Sequence, residues 1–258
     1  RPIWKKNTEE ECLLGVSLTG IMDHDTLNTP SPLLAKWLKE LKEVAVETNL
    51  EWSKRLGVNQ SVAITCVKPS GTVSQLVNSA SGIHPRFSPF YMRTVRADSK
   101  DPLSEYMVAA GFPYEVDVTK DTTNVFSFPI KSPPGAICAD EVSALDQLEL
   151  WKFYGANWAE HKVSITVYYS PDEFLGVCQW LWSNFAILSG VALLPRSEHS
   201  YQQAPYQKVT EAEYIEAAKL MPKFNWAEAA KFESEDQTTG SQELACVGNS
   251  CEFNGGAL

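Results

Sequence analysis

The chain is predicted to be an α/β protein, on three observations. Short apolar or β-branched runs recur along it, longer amphipathic segments separate them, and those segments carry helix start and stop signals. Leu13 to Leu18 is the first strand-like run. In the next segment Ser31 can cap, Pro32 fits the first helical turn, and Leu34, Leu38, Leu41 and Ala45 recur at helical spacing until Gly57 stops them. A second strand is predicted over Val62 to Val67, and Asp101 with Pro102 starts a helix ending at Gly111. Val125 to Ile130 reads as a strand, and Ser143 with Asp146 opens a helix running to about His161. Val163 to Tyr169 is strand-like again. Ser170, Pro171 and Glu173 form a capping box for a helix through Phe174, Val177, Cys178, Leu181 and Phe185 up to Gly190. Val191 to Leu194 is the last strand, and Thr210 with Glu213 repeats the capping signal. Strands alternating with long helices imply parallel pairing, which a barrel or an open sheet would satisfy equally.

Composition sets the boundaries of function. The 258 residues are 44% hydrophobic and 21% charged, and mean hydropathy is -0.21, so neither a disordered nor a collagen-like chain is indicated. No apolar stretch approaches the roughly 20 residues that cross a bilayer. The first residue is Arg1 and no signal peptide opens the chain, which reads as a piece of something longer and as cytoplasmic. Residues 1–232 are expected to be one structured region, and 233–258, rich in acidic, Gly, Ser, Thr, Asn and Gln residues, a flexible tail. The net charge is -10, yet Lys54 to Lys100 holds seven basic residues and one acidic one, a local +6. This asymmetry suits a small anionic ligand rather than nucleic acid along the whole surface; a solvated positive face is the alternative.

Two motifs carry chemistry. An apolar run from Ala63 to Val67 leads directly into Lys68, Pro69, Ser70, Gly71, Thr72, Val73 and Ser74. At a strand-to-helix turn unpaired N–H groups face outward, a glycine lets backbone approach an anion, and the Ser and Thr hydroxyls add donors. Pro69 to Ser74 are therefore candidate phosphate-binding residues, although the same composition makes an ordinary turn, and the spacing is not that of a nucleotide-hydrolase P-loop. The second motif is Cys246-Val-Gly-Asn-Ser-Cys251, two thiols on a polar segment that could open and close by disulfide exchange. Zinc is the rival reading, but no histidine or further cysteine lies near in sequence; an exposed pair without a role is the other. Cys12, Cys66, Cys138 and Cys178 stand in apolar stretches and read as reduced core residues. His84, in the basic segment, could assist phosphate binding, whereas His24, His161 and His199 read as surface or loop residues. No spacing marks a metal site.

The strings GVSLTGIMD, AITCVKPSGTVSQLVNSASGIHPRFSPFYMRTVR, KVSITVYYSPDE, GVALLPRSEHSYQQAPYQ and CVGNSC, in this order, resemble the C-terminal part of the catalytic chain of ribonucleotide reductase. They are most similar to the adenosylcobalamin-dependent (class II) ribonucleoside-triphosphate reductases. The resemblance implies a ten-stranded α/β barrel of two parallel halves, of which this chain would supply mainly the second. It implies that Pro69 to Ser74 receive the substrate's phosphates, and that Cys246 and Cys251 re-reduce an active-site disulfide and are themselves reduced by thioredoxin or a similar reductant. The implied activity is conversion of ribonucleoside triphosphates to deoxyribonucleotides by thiyl-radical chemistry: removal of the ribose 3'-hydrogen, loss of the 2'-hydroxyl as water, and reduction by a cysteine pair. The implied partners include neither nucleic acid nor membrane, and the family's allosteric effector site lies upstream of the matched part.

Two departures matter. The family's radical cysteine lies in an N-P-C-x-E context that does not occur in these residues, so the chain is not expected to be catalytic alone. The large subunits served by a di-iron radical subunit carry adjacent tyrosines on the last barrel strand, where this chain reads GVALLPRS; the pair Tyr168 and Tyr169 falls on the strand before. That favours the cobalamin-dependent class over a di-iron-dependent ribonucleoside-diphosphate reductase. A non-catalytic nucleotide-binding domain that kept the phosphate turn is the remaining alternative.

Overall fold

The computed structural model describes residues 1–196 and 202–233. In chain order, helix α1 (Pro2–Glu11), strand β1 (Val16–Ser17), helix α2 (Pro32–Leu56), strand β2 (Thr65–Cys66) and the one-turn helix α3 (Val73–Leu76) come first. Strand β3 (Phe90–Asp98), helix α4 (Pro102–Ala109) and strands β4 (Tyr114–Val116) and β5 (Thr123–Lys131) follow. Helix α5 (Ala144–Asn157), strand β6 (Ile165–Tyr169), helix α6 (Phe174–Ser183) and strand β7 (Val191–Pro195) come next. Strand β8 (Tyr206–Lys208), helix α7 (Glu211–Lys219) and the short helix α8 (Trp226–Ala229) complete the order. The described residues divide into two compact units, 1–86 with 133–196, and 87–132 with 202–233.

The first unit is the α/β part. β1 pairs parallel with β2 in the register Val16 to Thr65, and β6 with β7 from Ile165 opposite Val191 to Tyr169 opposite Pro195. In each pair the connection contains one long helix, α2 or α6, as a parallel crossover requires. α2 begins where its sequence says: the Ser31 hydroxyl accepts the Leu34 N–H at 3.1 Å, Pro32 occupies the first turn, and Gly57 closes the helix at φ 68°. Of its apolar stripe, Leu34 and Leu38 are buried and Leu41 is exposed. α5 ends at Asn157, earlier than His161, and Trp158 leaves the helical path so that its indole N–H can donate to the Cys66 carbonyl at 2.8 Å. α6 ends at Ser183 rather than near Gly190, because the Asn184 amide side chain donates back to the Trp180 carbonyl at 2.8 Å and a 3-10 turn takes over. The core gathers Ile21, Leu34, Leu38, Val67, Leu148 and Val167 with Trp151 and Tyr154, whose polar tips donate to the Val163 and Leu27 carbonyls at 2.9 Å. Burial pushes the Tyr154 phenol up, so it stays a donor.

The second unit departs from the expected parallel pairing. Its four strands run in the order β4-β5-β3-β8, and every neighbouring pair is antiparallel. A link of six residues between β4 and β5 is too short for a parallel crossover, so the chain must turn back on itself. β3 went unpredicted because charged residues interrupt its alternation, and those charges are matched only by residues distant in sequence. Arg96 donates to Asp117 at 2.6 Å, and Arg93 lies over the Tyr206 ring. A separate aromatic core of Tyr106, Phe112, Phe126 and Phe224 packs within this unit.

Candidate functional site: the turn after β2

β2 ends in buried Val67, and the chain then surfaces: Lys68 and Pro69 are exposed, Ser70 and Gly71 half-buried, Thr72 and Val73 exposed, and Ser74 is buried beneath them. Ser74 closes the turn from below, its N–H donating to the Ser70 carbonyl at 3.0 Å and its hydroxyl donating to the same oxygen. Among the described residues, the amides of Ser70, Thr72 and Val73 donate to no protein acceptor. Three main-chain N–H groups without a protein acceptor in one turn are donors that an oxyanion could use, each charge-assisted bond contributing on the order of 1.5–3 kcal/mol. Gly71 is not at positive φ; the glycine that the turn demands is Gly82, at φ 56°, where a Cβ would stand 2.5 Å from the Lys68 carbonyl oxygen.

A wall of residues that sequence reasoning missed holds this turn in shape. The Thr19 hydroxyl donates to the Ala80 carbonyl at 2.9 Å, accepts the Gly82 N–H at 2.9 Å and lies 3.0 Å from the Ser70 hydroxyl. Asp23 accepts Arg86 through both carboxylate oxygens at 2.9 and 2.8 Å, and also the Ala80 N–H at 2.7 Å. Arg86 reaches on to both the side-chain and the main-chain oxygen of Asn78, at 3.2 and 2.6 Å. The signals were in the strings GVSLTGIMD and GIHPRF, but nothing in one dimension says that Thr19 faces Ser70 fifty-one positions away.

Several residues of the basic segment are engaged elsewhere within their own units. Arg86 is buried against Asp23, Arg96 pairs with Asp117, and Lys54 and Arg55 sit in the last turn of α2; only Lys68 adjoins Pro69. Acids from outside the window neutralise two of its arginines, Arg86 and Arg96, so +6 overstates the local field. His84 is not a phosphate ligand either. Its Nδ1 is 3.0 Å from the Ser81 carbonyl and its Nε2 accepts the Thr166 N–H at 3.0 Å, so the neutral tautomer is locked in place; burial lowers its pKa, against the opposing pull of the Ser81 carbonyl. His161 bridges the Leu14 and Ala63 carbonyls, and His24 is exposed.

Cys138 is buried and its thiol is pushed up by burial and by Glu141 and Asp140, which suits an inert core residue. Cys12 and Cys66 are half-buried, and Cys178 is exposed on α6, contrary to its reading as core. Each of these four is free. Cys246 and Cys251, like His199, lie outside the described residues. Tyr168 and Tyr169 close β6, and β7 carries no tyrosine. Among the described residues no group of three His, Cys, Asp or Glu side chains is placed to hold a metal ion.

No family model matches the chain. It is 30% identical over 220 residues to an adenosylcobalamin-dependent ribonucleoside-triphosphate reductase of Euglena gracilis, covering 83% of this chain and 30% of the relative. A reductase of the same name from Lactobacillus leichmannii is 28% identical over 242 residues, covering 83% of this chain and 32% of that protein. The chain is homologous to part of these reductases. It spans about a third of the length of the curated relatives that it matches. A crystal structure of a B12-dependent (class II) ribonucleotide reductase superposes with a TM-score of 0.75 at 24% identity, covering 90% of this chain and 36% of that one. The mixed α/β fold is thus the fold of a class II reductase segment.

Proposed function

We propose that this chain is the C-terminal portion of an adenosylcobalamin-dependent ribonucleoside-triphosphate reductase, an oxidoreductase of deoxyribonucleotide synthesis, and that it supplies the substrate's phosphate cradle and the dithiol that recharges the active site. The likeness to the Euglena gracilis reductase over 83% of the chain carries this reading. In it the parallel pairs β1-β2 and β6-β7 are staves of the second half of a ten-stranded barrel, and the tail of residues 233–258 carries Cys246 and Cys251.

The chain's own residues would position and recharge. A triphosphate seats on the free N–H groups of Ser70, Thr72 and Val73, with Lys68 nearby, within the span Pro69 to Ser74. Fixing that end of the nucleotide fixes the ribose relative to the reacting thiol, an advantage of several orders of magnitude in rate for well-oriented groups. After each turnover the thiolate of one tail cysteine attacks the active-site disulfide. The second tail cysteine displaces the mixed disulfide, so two electrons and two protons pass to the active-site thiols and Cys246–Cys251 is left oxidised. A dithiol reductant such as thioredoxin then reverses that oxidation. Adenosylcobalamin, when bound to the intact enzyme, supplies the radical; the described side chains here offer no ligand set for its metal, and no cofactor contact is assigned to them. The described residues contain no helix long and apolar enough to cross a membrane, in keeping with a cytoplasmic enzyme fed by soluble nucleotides.

The test uses the intact reductase. Triphosphate reduction should require adenosylcobalamin, and Cys246→Ser or Cys251→Ser should abolish multiple turnover with thioredoxin while leaving one turnover of the pre-reduced enzyme intact. Equal loss of both activities would remove the shuttle from the assignment, and reduction without cobalamin would remove the class.

A further inference from the structure

We infer that Thr19 is a positioning residue for the phosphate turn, acting by committing the Ser70 hydroxyl hydrogen inward; this rests on the reading of Pro69 to Ser74 as a phosphate cradle. A threonine hydroxyl has one hydrogen and two lone pairs. The Ala80 carbonyl can only accept, so the Thr19 hydrogen points to it, and the Gly82 N–H can only donate, so it uses one lone pair. One lone pair remains at the 3.0 Å contact with Ser70, which makes Ser70 the donor there.

The consequence is specific. With its hydrogen turned toward Thr19, Ser70 Oγ offers the solvent side lone pairs only, and these repel an anion. The phosphate is therefore held by the main-chain N–H groups of Ser70, Thr72 and Val73, and the Ser70 side chain serves as a tether. Thr19 joins three separate strands of main chain at that point: its own loop at Gly20, whose N–H donates to Ala80 at 2.8 Å, the wall at Ala80 and Gly82, and the turn at Ser70. Loosening the tether lets the turn sample positions in which its amides no longer converge.

The experiment is calorimetric titration of the whole chain with inorganic triphosphate at fixed ionic strength, with variants Thr19→Val, Thr19→Ser, Ser70→Ala and the Thr19→Val/Ser70→Ala pair. Thr19→Val should weaken binding about tenfold, a loss of about 1.4 kcal/mol. Thr19→Ser, which keeps the hydroxyl, should restore the native affinity. Ser70→Ala removes the other end of the same tether and should weaken binding severalfold but no more than Thr19→Val does, and the double variant should bind no more weakly than Thr19→Val alone. Native affinity in Thr19→Val overturns the inference, as does a larger loss in Ser70→Ala than in Thr19→Val, which would make Ser70 a direct ligand. Should Thr19→Val fail to fold, Thr19→Ser and Ser70→Ala still decide: a loss above about threefold in Thr19→Ser, or native affinity in Ser70→Ala, overturns the proposal. No binding of triphosphate by the native chain would overturn the cradle itself and this inference with it, an outcome distinct from native binding with the wrong rank order.

Discussion

Among the described residues each unit contains an arginine–aspartate pair in hydrogen-bond contact, Arg86–Asp23 in the first and Arg96–Asp117 in the second, and the two are used differently. In the first unit Arg86 and Asp23 are 3% and 15% exposed, and both keep further partners at Asn78 and Ala80. In the second unit Arg96 is 29% exposed and Asp117 is 6% exposed, and the pair ties the end of the β4 hairpin to β3. A desolvated pair is costly to break because the survivor stays charged without a partner, whereas a half-open pair can be replaced by water. The buried pair therefore belongs to the wall behind the turn from Pro69 to Ser74, and the open pair trims a sheet edge.

The largest expected effect tests that contrast directly. Asp23→Asn should cost about 3–5 kcal/mol in urea unfolding, and Asp117→Asn only about 1–2 kcal/mol; equal losses would erase the distinction between the two pairs. Next is the close approach of the turn to its wall. Gly82→Ala places a methyl 2.5 Å from the Lys68 carbonyl at φ 56°, and should destabilise the protein by more than about 2 kcal/mol. Gly135→Ala, at φ 79° but in open space, should cost about 1 kcal/mol from backbone strain alone.

The two units should also respond to acid in different ranges. His84 is buried with its pKa lowered, so below about pH 6.5 the unfolded chain binds a proton that the folded chain refuses, and stability falls as pH drops. Replacing His84 with Gln should remove that slope from a stability titration between pH 7 and 5. Asp117 behaves at lower pH: burial opposes its charge, but hydrogen bonds from Thr119 and the Arg96 guanidinium outweigh it and hold the carboxyl at about 2. Its contribution is complete above pH 4 and is lost as pH falls through about 2, on the order of 1–2 kcal/mol. A single common transition in both ranges would merge the two behaviours. The smallest effect concerns Ser79, whose hydroxyl is buried with no partner among the described residues beside Gly20. Ser79→Ala should leave melting unchanged or raise it slightly, because an unsatisfied hydroxyl contributes only a desolvation penalty.

Much of the first unit was legible because its signals are local. Ser31, Pro32 and Gly57 bound α2, and Ser143, Ser170 and Thr210 mark the helices that follow them, since a cap is a bond between residues two or three positions apart. The turn from Pro69 to Ser74 could be placed for the same reason: it follows an apolar strand and is rich in residues that turn. The antiparallel sheet was not legible. β3 alternates its faces through Arg93 and Arg96, and a charged residue inside a strand makes sense only once Asp117 and Tyr206 are beside it. The +6 of the basic segment misled for the related reason that charge was summed along the chain, while fields add in space.

The sequence by itself determined the alternation of helix and strand in the first unit, the helix starts, the site of the turn and the resemblance that the relatives bear out, because each depends on neighbours in the chain or on the order of whole motifs. Only the tertiary structure decided that Thr19 meets Ser70, that Asp23 neutralises Arg86, that His84 is spent on Thr166, and that the second sheet is antiparallel. Those contacts join residues tens of positions apart, and their energies depend on distance and burial, quantities that exist only once the chain has folded.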